Sequence, residues 1–109
     1  MLCLPIIKVH LNYIIIFVLF SVHKLINCIK LMNESFAAQT VACIRELEVD
    51  ADRVNVNGGA LALGHPVAAS GARIIAHLVH QLRARGLKRA IASAFIGDGL
   101  GIALLLESV

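Results

Sequence analysis

The chain has 109 residues, 59% of them hydrophobic, and its 10 Lys and Arg outweigh 7 Asp and Glu for a net charge of +3. That length holds one domain at most. So few cations, with one Tyr and no Trp, argue against nucleic-acid binding, which needs a dense basic face with stacking aromatics. Cys3, Cys28 and Cys43 show neither metal-ligand spacing nor a disulfide framework, and an odd count suits a reducing compartment.

The first 30 residues differ in composition from the rest. Tyr13 to Phe20 is an unbroken apolar run, with Lys8 before it and His23-Lys24 after it. It is shorter than the roughly 20 residues that span a bilayer. Three readings stay open: a membrane-associated helix over residues 11–29 with its lysines reaching back to the interface, a buried or unstructured leader (a buried strand among its forms), and a cleaved signal that lacks a small-residue cleavage site. Residues 1–30 are thus a hydrophobic leader, and 31–109 are the domain.

From Asn33 to Glu48 the pattern predicts a helix. Asn33 suits the N-cap, Glu34 the first turn, and Phe36, Thr40, Ile44 and Leu47 recur at helical spacing. Asp50 and Asp52 mark a turn, and Arg53 to Val56 alternates as a short strand ending at Asn57-Gly58. A second helix is expected from Pro66, whose missing amide hydrogen suits a first position, to Arg85. Ile74, Leu78 and Leu82 build its apolar face, and Gly86 is its C-cap. His77 and His80 fall off that face and read as surface or boundary residues. Ala90 to Phe95 and Gly101 to Leu106 are near-continuous apolar runs, which predicts a hairpin of strands buried on both sides. The order helix, strand, helix, strand, strand is an α/β layer, with a mixed sheet and packed helices.

One segment stands out chemically. Asn57-Gly58-Gly59-Ala60-Leu61-Ala62-Leu63-Gly64-His65-Pro66 carries a histidine through a glycine-rich loop to the entry of a helix. The positive end of a helix disfavours imidazolium and keeps the ring neutral, as a general base must be. Plain turn chemistry would account for the same residues.

Three motifs in order resemble the C-terminal part of the thiolase family. Val54 to Pro66, followed by Ser70-Gly71-Ala72-Arg73, is similar to that family's late signature. Asn33-Glu34-Ser35-Phe36-Ala37 resembles its Asn-Glu-Ala-Phe motif. Phe95-Ile96-Gly97-Asp98-Gly99-Leu100-Gly101 resembles its final Cys-Ile-Gly-Gly-Gly-x-Gly loop. The resemblance spans Leu31 to Val109 and implies a thiolase-like C-terminal half, paired with an N-terminal half in a dimeric or tetrameric enzyme. Such enzymes make or break a carbon–carbon bond beside a coenzyme A thioester, with no further cofactor. By resemblance, His65 activates the nucleophile and serves one oxyanion site. Asn33 fixes a water in that site, the Gly97 N–H helps form a second, and Phe36 lines the pocket. Phe95, also a pocket residue, stands where the family has its acid/base cysteine, and a phenyl ring transfers no proton. Asp98 and Ala68 each replace a glycine. The nucleophilic cysteine belongs to the N-terminal half, and nothing in residues 1–32 resembles its surroundings.

These departures lead to the expectation of an acyltransferase domain inactive by itself, acting on acyl-CoA only with a thiolase N-terminal half or an oligomeric partner. The alternative is a non-catalytic module that binds a membrane through residues 11–29 or a full-length thiolase. A gene fragment with no stable fold is a third. By resemblance the location is intracellular: mitochondrial, peroxisomal or cytosolic.

Overall fold

A computed structural model describes residues 7–12, 28–97 and 100–108. Among them four strands form one sheet. They are β1 (Ile7–Asn12), β2 (Cys28–Met32), β3 (Arg89–Gly97) and β4 (Leu100–Ser108), in the order β1-β4-β3-β2. The sheet is mixed, as expected. β2 runs parallel to β3, whereas β4 pairs antiparallel with both β3 and β1. The helices are α1 (Ala37–Glu46), the single turn α2 (Ala60–Leu63) and the 16-residue α3 (Ser70–Arg85).

The core follows from side-chain alternation. Successive residues of a strand face opposite sides, and register aligns Ile29 with Ala90 and Leu106, and Leu31 with Ala92 and Leu104. These two rows form one apolar face. Ile74, Leu78 and Leu82 of α3, spaced four apart, close over it. Leu78 is 0% exposed, and burying a side chain of that size stabilises by about 1.5–3 kcal/mol. Alanines at positions 90 and 92 let the helix approach the middle of the sheet. The predicted hairpin is present, and Gly86 caps α3 in the left-handed conformation, its N–H directed to the Arg83 and Leu82 carbonyls.

Four local expectations give way. Asn33 caps no helix: its N–H donates to the Ser93 carbonyl at 2.8 Å, so it prolongs β2, and α1 starts only at Ala37 after an extended Phe36. The strand expected over residues 53–56 shrinks to one bridge between Val54 and Lys30. Asp50 nucleates a 3-10 turn over Ala51–Arg53 just before it, and Asn55 turns the chain just after with φ 49°. The second helix begins at Ser70 and not Pro66, because residues 66–69 close as a tighter turn through Ala69 N–H to Pro66 O. The short α2 appears where only loop was expected.

Strand β2 crosses the composition break after residue 30, and Cys28, Ile29 and Lys30 are all buried. The apolar run Tyr13 to Phe20 lies outside the described residues, as do Cys3, Asp98 and Gly99. Leu11 and Asn12 belong to β1. Among the described residues, no helix is long and apolar enough to cross a membrane.

Candidate functional site

Parallel strands joined through a helix bring particular residues to one edge. β2 and β3 point the same way, so Asn33, just past β2, lies at the same sheet edge as Phe95 and Gly97 at the end of β3. Helix α3 lies between them in sequence and must run back against the strands. Its first turn therefore starts at that edge, where Gly71 shares an apolar groove of about 160 Å³ with Ser93 and Ala94. His65 is in the crossover that leads into this turn. The carboxyl ends of parallel strands are the usual ligand side of such sheets.

His65 is exposed, and its Nδ1 lies 2.7 Å from Ser70 Oγ. The Ser70 hydroxyl donates its only proton to the Pro66 carbonyl at 3.0 Å. With the hydroxyl so directed, a neutral ring carries its hydrogen on Nδ1 and donates it to Ser70 Oγ. In that tautomer Nε2 is an unprotonated acceptor, the state a general base requires. Gly64, at φ 92° with open space around it, lets the chain turn sharply just before the histidine.

Asn33 is 3% exposed; its Nδ2 donates to Ser35 Oγ at 3.3 Å, but its Oδ1 has no partner among the described residues. A buried acceptor without a donor is uncommon. This one could receive a water or a ligand N–H or O–H at the sheet edge. Gly97 follows an irregularity in the β3–β4 ladder: Phe95 pairs with Gly101 and Gly97 with Leu100, which leaves Ile96 unpaired. Such a bulge re-aims the backbone at a strand end. Phe36 is 74% and Phe95 53% exposed, so both rings stand open to solvent, and a pocket would need a further surface opposite them.

Cys43 lies on α1 and Cys28 begins β2, away from His65 in the chain's layout. Burial pushes the Cys28 thiol up from its ordinary 9.0, with the charges of Lys30 and Arg89 opposing. A thiol held protonated is a poor nucleophile.

Sequence reasoning missed Ser70 as the orienter of His65, and it missed Glu34 and Asn55. Glu34 was assigned to a helix turn, yet its carboxylate accepts from Asn55 Nδ2 at 2.6 Å and from the Leu61 amide at 2.9 Å. The available signal was the pair of glycines at 58 and 59, since two in a row imply a close approach as well as a turn.

Comparison with known proteins bears on the same residues. A family model described as the thiolase C-terminal domain matches residues 21–108. The chain is 57% identical over 77 residues to human mitochondrial 3-ketoacyl-CoA thiolase, which covers 71% of the chain and 19% of that relative. Against the acetyl-CoA acetyltransferase of Chromobacterium violaceum it is 51% identical over 75 residues, 69% of the chain and 19% of the relative. The crystal structure of the human mitochondrial thiolase in complex with CoA superposes with a TM-score of 0.72 at 54% identity, over 74% of this chain and 20% of that one. The chain thus spans about a fifth of the length of the curated relatives it matches.

Proposed function

Since this chain belongs to the thiolase family, through its C-terminal domain, we propose that it supplies the histidine and asparagine part of an acyl-coenzyme A acyltransferase site and does not turn over alone. The observation that carries this is the His65–Ser70–Pro66 relay, which leaves Nε2 of an exposed imidazole free to take a proton. Nε2 would remove the proton of a cysteine thiol from a thiolase N-terminal half. The thiolate would then bond the acyl carbonyl carbon of an acyl-CoA, the bond to the coenzyme A sulfur would break, and that sulfur would leave with the proton. Asn33 Oδ1 would hold a water, and the Gly97 N–H would meet the developing oxyanion, both near the carboxyl ends of the strands. The human relative's complex with CoA supports an acyl-CoA substrate.

Carbon–carbon bond cleavage needs a second proton transfer. Phe95, where the family places a cysteine, cannot perform it. The split between the two steps makes the test. Mixed with a thiolase N-terminal half and acetyl-CoA, the chain should speed acetylation of that half's nucleophilic cysteine, read by mass spectrometry, and His65→Ala should abolish the gain. The purified chain should show no thiolysis of acetoacetyl-CoA. Thiolysis by the chain alone, lost on His65→Ala, would refute the claim of inactivity.

A second function is favoured by exposed apolar side chains: Phe36, Leu61, Leu63, Val67, Phe95 and Ile96 are all more than half exposed. A non-catalytic module that binds a full-length thiolase, or a membrane through residues 11–29, would use them or the leader. Membrane fractionation and size-exclusion beside the full-length enzyme decide it, because a soluble monomer in both would rule it out.

A further inference from the structure

One carboxylate ties the turn after β2 to the loop before His65. Glu34 Oε1 accepts from Asn55 Nδ2 at 2.6 Å and Oε2 from the Leu61 N–H at 2.9 Å. Asn55 is itself locked to the strand end: its Oδ1 accepts from Met32 N–H at 2.9 Å, and its Nδ2 also reaches the Met32 carbonyl at 3.1 Å. Asn55 holds φ 49°, a left-handed conformation that Asn tolerates better than most residues. Gly59 lies directly against the carboxylate, since a Cβ built there would collide with Glu34 Cδ and both its oxygens. The Gly59 φ of −113° is open to any residue. Its missing side chain therefore answers to Glu34, not to backbone strain. Both of Glu34's partners are donors, so only an acceptor on both oxygens satisfies them, and the charge strengthens both bonds.

We propose that Glu34 is a positioning residue, whose carboxylate pins the segment 55–61 to the Asn33 turn and thereby fixes the orientation and tautomer of His65. The lever is short. Leu61 sits in the single turn α2, the Gly64 N–H closes that turn onto the Ala60 carbonyl at 2.8 Å, and His65 follows at once. Asn33 and His65 come from segments more than thirty residues apart in the chain, and Glu34 joins them without touching either functional group. The assignment rests on reading His65 as the base. A merely structural staple would lower the melting temperature and leave the His65 ring in its tautomer.

Nitrogen-15 NMR of the full chain tests this, with Leu61 amide exchange and the His65 ring nitrogens as readouts. The unaltered chain should show His65 protonated at Nδ1. In Glu34→Ala and Glu34→Gln the Leu61 amide should exchange roughly tenfold to hundredfold faster, and the ring should pass to a mixture of tautomers while the fold persists. Gln cannot replace Glu because its NH₂ would face a donor. Gly59→Ala should produce the same two changes, yet add nothing in the Glu34→Ala background, where its methyl group fills vacated space. An unchanged His65 tautomer in folded Glu34→Ala would overturn the proposal, as would a Gly59→Ala effect equal in both backgrounds. If Glu34→Ala does not fold, Glu34→Gln and Gly59→Ala decide by the same readouts. Neither readout involves a thioester, so failure of the acyltransferase function shows separately, as an acetylation rate indifferent to His65→Ala.

Discussion

His77 shows how one atom sets a pH limit. It lies on α3 with a buried Nε2 that finds no partner among the described residues, and burial holds its pKa below the ordinary 6.5, with the charges of Arg73, His80 and Arg85 acting the same way. The folded chain therefore resists a proton that the unfolded chain accepts. Stability is intact above 6.5 and is lost as pH falls below it toward the depressed folded value. Melting temperatures between about pH 7.5 and pH 5.5 should fall more steeply for the unaltered chain than for His77→Gln; parallel curves would contradict the assignment. Cys28 offers a second residue-scale test. With its thiol buried and held protonated, iodoacetamide at mildly alkaline pH should modify the half-buried Cys43 first and Cys28 only on unfolding. His65 was legible from its motif. Asn55 and Glu34 were not assigned their roles, because a side chain that bonds across twenty or more residues leaves no local period in the sequence. Ser70 lies only five residues from His65, but its hydroxyl meets the ring only once residues 66–69 close as a turn.

At the scale of elements, legibility followed the strength of the period. The apolar stripe of α3 and the paired runs of β3 and β4 are long, and each was placed within a few residues. The hairpin and the Gly86 cap were also foreseen, but burial on both sides holds for Ala90, Ile91 and Ala92 and fails at Phe95, which is 53% exposed. Short elements failed because tertiary bonds outweigh local propensity there. Asn33 has every mark of an N-cap, but the carbonyl of Ser93 claims its amide, and α1 must start after Phe36. Strand β2 lay hidden because Cys28 to Met32 continued the leader's apolar composition. The stripe on α3 carries a direct expectation: Leu78→Ala should cost about 2–5 kcal/mol by chemical denaturation, since Leu78 has no exposed surface. Gly86→Ala should cost about 1–2 kcal/mol through its φ of 60°. A loss at Gly86 below a few tenths would mean that the cap relaxes.

For the whole molecule, the sheet decides where the folding unit starts. Composition put the domain's first residue at Leu31, yet β2 begins at Cys28, and Ile29 packs in the core beside Leu78, Ala90 and Leu106. Lys30 also carries the bridge to Val54, and its carbonyl accepts the Asn55 N–H at 2.9 Å. A chain cut to residues 31–109 would lose the Ile29 side chain, the first three register pairs with β3, and an anchor of the loop that leads to His65. A chain cut to residues 28–109 would keep them all. Losing the Ile29 side chain alone removes about 1.5–3 kcal/mol, and each kcal/mol shifts the melting of a domain this size by about 4–8 °C. The longer piece should therefore melt at least about 6 °C above the shorter one, by circular dichroism at matched concentration. Equal melting would place residues 28–30 outside the cooperative unit. If neither piece melts cooperatively, the sheet needs its fourth strand β1, which pairs with β4 over six residues, and the full chain should then show the single transition that both pieces lack.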